Sequence, residues 1–242
     1  MTTEKQIRKW DNIKCPVHRK LSSNAENYLY TMHLLNEKKE KITASSILEY
    51  IKVLPSTENL GTSLPTVTGM LKRMVRDHLI IKNKNNEVFL TEYGEISAKE
   101  QTKRFRLASK FVHEILKIDL KNVFQEAHLL EHAISQDVEN AIEKLLNYPD
   151  KDPFGQDIPG SKKTEKINII PLSKTTKNKS YTISKIPPEN PEFVDFLHTN
   201  KILPGSIITI HEVSDTRGII NIKVSNKSVD LALNVAQTIW VK

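Results

Sequence analysis

The segment Thr62-Ser63-Leu64-Pro65-Thr66-Val67-Thr68-Gly69-Met70-Leu71-Lys72-Arg73-Met74 has the pattern of an amphipathic helix. Ser63 is a good N-cap residue, and Pro65 is tolerated in a first helical turn. Small polar side chains at the front of a helix allow close approach to a DNA groove, and basic residues behind them reach phosphate. The segment is therefore either a recognition helix or an ordinary core helix.

The sequence on both sides of this segment favours a recognition helix. Two short apolar runs, Leu79–Lys82 and Val88–Thr91, flank a polar turn and predict a β-hairpin. Caps and helical spacing predict two earlier helices, one from Ala25 to Glu37 and one that begins after Thr43 and ends before Pro55. Three helices and a hairpin predict a winged helix-turn-helix, although the link before the third helix is longer than the usual three or four residues.

Individual side chains can be assigned as candidates for contact with DNA. The charge balance of 36 Lys and Arg against 29 Asp and Glu permits an anionic partner without requiring one. The candidates for contacts near the bases are Ser63, Pro65, Thr66 and Thr68. The candidates for phosphate contacts are Lys72, Arg73, Arg76, Lys82 and Lys84.

A second informative stretch is Ala127-His128-Leu129-Leu130-Glu131-His132, which we interpret as the opening of a long amphipathic helix that continues through Leu146. Residues three and four apart share a helix face, so His128, Glu131 and His132 project together. Two imidazoles and a carboxylate suit iron, manganese, zinc or nickel. The apolar stripe beside them is wide enough to predict a homodimer face. The stripe contains Leu129, Leu130, Ala133, Ile134, Val138, Ala141 and Leu145.

The His-Glu-His cluster is also compatible with three alternatives. It could be a solvated helix face, or buried polar groups in a metal-independent DNA-binding protein. It also matches the H-x-x-E-H pattern of a class of zinc peptidases, with His128 and His132 as ligands and Glu131 as general base. A peptidase needs a further ligand on a separate segment and an open cleft, and the apolar continuation of the helix argues for burial instead.

The last third of the chain has a different pattern. Residues 149–180 are rich in Pro, Gly, Lys, Thr and Asn, which predicts a linker. A short helix is expected from Pro191 to Asn200, and short strands around it predict a small barrel. The predicted strands are 181–186, 206–213, 218–224 and 236–241. Cys15 is the only cysteine, which favours the reduced cytoplasm, and no apolar run predicts a membrane helix.

This order of elements resembles the diphtheria-toxin-repressor family of metal-dependent transcription regulators. The resemblance covers almost the whole chain from about Ser22, and the terminal part is similar to the FeoA/SH3-like module that many members carry. It implies a metal-activated repressor of iron or manganese homeostasis genes that binds a palindromic double-stranded operator as a homodimer. The segments that carry it are Leu64–Thr68, Val123–His132, Asp152–Gly160 and Leu203–Gly205.

The resemblance implies an α+β multidomain chain with five parts. We expect an N-terminal arm over 1–21 and a winged helix-turn-helix domain over 22–94. A helical dimerisation and metal-binding domain is expected over 95–150, a linker over 151–180 and a small SH3-like β-barrel over 181–242.

The resemblance also implies a regulatory metal site. Its ligands fall on His128, Glu131 and His132, with Asn27 on the first helix as a fourth ligand and Glu26 as the alternative to Asn27. Fe(II) or Mn(II) is favoured, with Zn(II) or Ni(II) as alternatives. His128 stands where relatives that respond to iron or manganese carry Cys or Glu respectively, so this substitution leaves the choice of ion open. Metal that joins the first helix to the dimer helix is expected to activate operator binding.

An ancillary metal site of the family falls on residues that are mostly not metal ligands. These residues are Phe105, Ser109, Phe124, Asn190 and Phe193. A phenyl ring offers no lone pair, so we expect this site to be lost to apolar packing, in which a buried Phe contributes about 2 kcal/mol. At Gly69 relatives often carry a polar base-reading side chain, so part of the family's base reading is expected to be absent.

Overall fold

The computed structural model describes residues 21–54, 60–161 and 168–242, and the chain divides into two compact units, 1–104 and 105–242. The expected N-terminal arm lies outside the described residues except for Leu21. The same is true of residues 55–59 in the link before the recognition helix and of 162–167 in the expected linker.

The first unit contains the predicted helices and hairpin. Its helices are α1 (Ser23–Glu37), α2 (Ala44–Ile51) and α3 (Leu64–Arg76). Strands β1 (Ile80–Lys82) and β2 (Val88–Leu90) pair antiparallel and form the wing. The winged helix-turn-helix architecture is therefore confirmed.

Hydroxyl side chains determine where these helices begin. The side chains of Ser22, Thr43 and Ser63 accept hydrogen bonds from the backbone N–H groups of the first turns of α1, α2 and α3. Such caps satisfy backbone donors that have no partner within the helix. At α2 the cap is reciprocal, because Ser46 accepts from the Thr43 backbone at 2.9 Å.

A long helix, α4 (Glu92–Glu114), crosses the division between the units. Its first turn is capped by Thr91, whose hydroxyl accepts from the Gly94 backbone N–H at 3.0 Å. Gly94 lies against the wing so closely that an added Cβ would be 1.9 Å from the carbonyl oxygen of Leu79. The helix is continuous at 94/95, so the expected boundary there differs from the observed division at 104/105.

The second unit corrects the prediction of one long helix from Ala127 to Leu146. The chain instead forms α5 (Leu120–Glu131) and α6 (Gln136–Leu145), so the His-Glu-His stretch ends a helix rather than opening one. The break has a local cause. The Ser135 hydroxyl accepts from the Val138 backbone N–H at 3.4 Å and starts α6 anew.

The second unit also contains a six-stranded antiparallel sheet. Its strands are β3 (Ile170–Pro171), β4 (Ser180–Lys185), β5 (Ile207–Ser214), β6 (Ile219–Val224), β7 (Lys227–Ala232) and β8 (Trp240–Val241). Their order in the sheet is β3-β8-β4-β5-β6-β7. The second unit also contains helices α7 (Pro191–Thr199) and α8 (Leu233–Ala236), and α7 packs on α5. Within the predicted strand over 236–241, only Trp240–Val241 forms a strand, Ala236 ends α8, and a turn lies between them. Strand β7 was not predicted.

Residues 151–161 differ from the expected linker because they are packed. Phe154 is buried in the core that the sheet shares with α5 and α7. The Asp152 carboxylate accepts from the backbone N–H groups of Phe154 at 2.9 Å and Gln156 at 2.8 Å, which closes a tight turn. Gly155 sits in this turn with φ +81°, a conformation that favours glycine.

We expect Gly94→Ala to lower the free energy of unfolding by about 1–3 kcal/mol, because the new methyl group meets backbone rather than a movable side chain. Gly69→Ala in α3 is the matched control. Nothing lies within 4 Å of its added Cβ, and alanine is the better helix former, so stability should rise by up to about 1 kcal/mol. Urea unfolding measures both, and equal stability of the two variants would contradict the close packing at Gly94.

Candidate metal centre and DNA-contacting surface

The His-Glu-His cluster lies at the C-terminal end of α5. The Nδ1 of His128 donates to Oε1 of Glu131 at 2.8 Å, and Nε2 of His132 lies 3.7 Å from the same oxygen. The side chains of His128 and Glu131 are 0% exposed, and that of His132 is 15% exposed. Both imidazoles therefore lie close to the same carboxylate oxygen, in a largely buried position.

The donor set fits a divalent transition-metal ion. Nitrogen and oxygen ligands lie about 2.0–2.2 Å from such an ion, so two neighbouring donor atoms are about 3 Å apart. The separation of 2.8 Å between His128 and Glu131 meets this requirement. Across the described ranges, no three His, Cys, Asp or Glu side chains already form a closed ion site. Binding of a metal by all three side chains therefore requires neutral imidazoles and a closer approach of His132.

The expected ligands on α1 belong to the first unit. Asn27 is buried, and its backbone carbonyl accepts from the Thr31 hydroxyl at 2.9 Å. Glu26 lies 3.8 Å from the guanidinium of Arg104. Asn27 and Glu26 thus stay predictions from the family resemblance.

The positions of the ancillary site are occupied by packed or capping side chains. Phe105, Ser109 and Phe124 are buried, and the Ser109 hydroxyl donates to the Phe105 carbonyl at 2.9 Å. Asn190 caps α7 by accepting from the Phe193 backbone N–H at 2.9 Å. The Phe193 ring stacks on Phe196 with a centroid separation of 6.2 Å.

The predicted DNA-contacting residues of the first unit lie mostly on its surface. At the front of α3, Ser63, Pro65 and Thr66 are exposed, and the hydroxyls of Ser63 and Thr66 are 2.8 Å apart. Thr68 is half-buried. Lys72, Arg73, Arg76 and Lys84 are exposed, and Lys82 on the wing is half-buried. Gly69 is exposed and leaves open space beside it.

The predicted dimer stripe is only partly a surface. Leu129, Val138 and Leu145 are exposed, as expected for an unpartnered face. Ile134 is buried and Leu130 packs on the core around the sheet, so these two serve the fold instead. The prediction missed exposed apolar side chains that follow α4 and α6, namely Ile115, Leu116 and Tyr148.

A network of hydrogen bonds and ion pairs, which the sequence did not reveal, joins α4 to the 151–161 turn and β4. Arg106 is buried and donates to the backbone carbonyl of Asp157. The Asp157 carboxylate accepts from Lys151 at 2.7 Å and from Lys185. Burial opposes ionisation, yet these lysine contacts hold the pKa of Asp157 below its usual value. At Asp152 burial dominates and raises the pKa to about 6, with the charge of Arg106 opposing it.

Two protein-family models match the chain, and together they span both the metal cluster and the sheet. Residues 91–160 match the model described as "Iron dependent repressor, metal binding and dimerisation domain", and residues 170–242 match the FeoA domain. The metal cluster falls within the first of these matches. The chain belongs to the diphtheria-toxin-repressor family. It is a metal-dependent transcriptional repressor of that type, so the zinc-peptidase alternative is set aside.

Individual relatives of this family support the assignment. The iron-dependent repressor IdeR of Mycobacterium tuberculosis is 29% identical over 168 residues, which are 69% of this chain and 72% of the relative. The diphtheria toxin repressor of Corynebacterium diphtheriae is 31% identical over 58% of each chain.

Solved structures of the family share the fold. A manganese-dependent transcriptional repressor in complex with manganese has a TM-score of 0.80 at 24% identity, over 90% of this chain and 98% of that one. ScaR with bound Zn²⁺ has a TM-score of 0.73 at 26% identity and the same coverage. In the described part of this family member, no helix is both long and apolar enough to cross a membrane.

The raised pKa of Asp152 predicts a pH dependence of stability. The folded chain takes up a proton between about pH 4 and pH 6 that the unfolded chain does not, because folding raises this pKa from 3.8 to about 6. The contribution of Asp152 to the free energy of unfolding therefore falls by about 2–3 kcal/mol as pH rises through this window. Asp152→Asn removes it, so the variant should gain stability over the wild type from pH 4 to pH 6.5. Urea-unfolding curves whose difference does not change with pH would contradict this assignment.

Proposed function

We propose that this chain is a cytoplasmic homodimer that binds a palindromic operator when Fe(II) or Mn(II) is bound by His128, Glu131 and His132. The observation that carries the proposal is the convergence of His128 and His132 on one oxygen of Glu131, within the segment that matches a metal-binding and dimerisation domain. Asn27 is the fourth ligand in this proposal, offering its amide oxygen from α1.

The choice of ion follows from the donor chemistry. Imidazole nitrogen and carboxylate oxygen suit Fe(II) and Mn(II), and no sulfur ligand is present in the cluster to favour a softer ion. Curated relatives are named iron-dependent, and similar solved structures are described as manganese-dependent or contain Zn²⁺ or Cd²⁺. Zn(II) and Ni(II) remain the alternatives in this proposal.

The buried cluster gives the ion a defined role. A bound divalent ion supplies positive charge and directional bonds. His128 would offer a neutral imidazole nitrogen to the ion, and the Glu131 carboxylate would balance the ion's charge at a position that is 0% exposed. Metal affinity should therefore weaken as pH falls.

With an ion held by these residues, one arrangement of the recognition helices would be favoured, and the ion would serve as a co-repressor. An operator with two half-sites requires a spacing of about one helical turn or a multiple of it. A ligand that binds the competent arrangement a hundredfold more tightly shifts the equilibrium by about 2.7 kcal/mol, which is enough for a switch. On this proposal the exposed front of α3 meets base edges while Lys72, Arg73 and Arg76 meet phosphate.

The metal switch predicts a large effect of ligand removal. Fe(II) or Mn(II) should tighten binding to an operator selected from random duplex DNA by about 5- to 150-fold, measured anaerobically by fluorescence anisotropy. The double variant His128→Ala, His132→Ala should lose this response, whereas His198→Ala, a change at an exposed histidine on α7, should keep it. Operator binding that is tight with chelator and unchanged by every ion would refute the proposal.

Phosphate contacts predict a particular salt dependence. Arg73→Ala removes one phosphate contact per protomer, so the slope of log affinity against log salt should become shallower by about 1.8 per dimer. The control is Lys223→Ala, an exposed lysine on β6 of the second unit, which should leave the slope unchanged. If the Arg73→Ala variant has the same slope as the wild type, Arg73 does not contact a DNA phosphate.

A further inference from the structure

The imidazole of His128 lies between two phenylalanine rings in the second unit. Its ring centroid is 4.4 Å from that of Phe105, with the planes tilted by 33°. It is 4.7 Å from the centroid of Phe124, with an interplanar angle of 79°. The two phenyl rings also touch each other edge to face at 5.6 Å. His128 is thus held on two sides by rings from α4 and α5.

These contacts restrict the orientation of the imidazole. All three rings are at most 1% exposed, so no solvent gap allows the imidazole to turn. Packing at interior density favours one staggered rotamer for a side chain in such a position, and the hydrogen bond to Glu131 selects the ring flip. In the retained orientation Nδ1 faces Glu131 at 2.8 Å.

We propose that Phe105 and Phe124 are positioning residues that fix His128 for metal binding, and that each protomer binds one ion. This inference rests on the proposed function, because it assigns a role to residues that hold a ligand of that metal. A ligand fixed before the ion arrives loses less freedom on binding, and the complex is tighter for that reason.

The alternative to positioning is simple core filling. Phe105 and Phe124 do fill space, but filling alone would make them equivalent to any other buried phenylalanine of the unit. Phe154 provides that comparison. It is fully buried in the core around the sheet, and no ring contact between Phe154 and His128 is found in the described residues.

The test measures metal binding and stability separately on the full-length chain. Anaerobic titration with Mn(II), followed by electron paramagnetic resonance of the free ion, gives the stoichiometry and the dissociation constant. Urea unfolding with chelator gives the stability. The variants are Phe105→Leu and Phe124→Leu, with Phe154→Leu as the matched control.

We expect the wild type to bind one Mn(II) per protomer. Phe105→Leu and Phe124→Leu should each weaken Mn(II) binding about tenfold, since each removes one of the two rings that fix the imidazole and more of its freedom is then lost on binding. Phe154→Leu should lower stability as much as they do and leave Mn(II) affinity unchanged.

Several outcomes would overturn the inference. Two ions of similar affinity per protomer would show that a second site persists. This outcome is measured on the wild type, so it does not depend on whether a variant folds. If Phe105→Leu and Phe124→Leu both bind Mn(II) with wild-type affinity, the two rings only fill the core. The same conclusion follows if Phe154→Leu loses as much Mn(II) affinity as they do. In these cases the wild type still binds metal and the proposed function stands. A wild type that binds no Mn(II), Fe(II), Zn(II) or Ni(II) would remove both proposals.

Discussion

The hydrogen bond between Nδ1 of His128 and Oε1 of Glu131 joins two fully buried side chains over 2.8 Å. Burying a carboxylate costs free energy unless it is paired. Truncating one partner therefore leaves a buried polar group without its hydrogen bond and destabilises the fold. The same two side chains are the proposed metal ligands, and both must offer deprotonated donor atoms to an ion. The geometry of this bond therefore links the stability of the metal-free chain to the chemistry of the switch.

The rest of the second unit keeps this pair in place. Leu120 and Val123 at the start of α5 are part of the core that includes the sheet and α7, and Lys121 pairs with Asp195 of α7 at 3.2 Å. The rings of Phe105 and Phe124 enclose the imidazole through apolar contacts, whereas Glu131 holds it through charge. The sheet therefore serves as the support for α5. This support uses apolar packing at positions where the family resemblance implies a second metal.

Local signals allowed much of the fold to be predicted. Ser22, Thr43 and Ser63 are caps that act within three residues, and the apolar runs around 83–87 specify the wing by themselves. The metal cluster was also local, because i and i+3 spacing brings His128 to Glu131. The helix break at 132–135 was missed because the apolar periodicity continues through it, although Ser135 was a visible cap signal.

Features that depend on distant residues could not be predicted in the same way. Arg106 donates to the backbone carbonyl of Asp157, which is 51 positions away in the sequence. No sequence pattern around either residue indicates this contact. Residues 151–161 have the composition of a linker, but Phe154 is drawn into the core of the sheet. Strand β7 was missed because only Val229 and Leu231 mark its buried face.

The central claim is that His128, Glu131 and His132 bind one activating ion. Anomalous diffraction at the manganese or iron edge from crystals of the metal-loaded chain tests it most directly. The account predicts one anomalous peak per protomer within bonding distance, about 2.0–2.3 Å, of nitrogen atoms of both histidines and an oxygen of Glu131. A fully loaded crystal whose only anomalous peak lies away from these three side chains would contradict it.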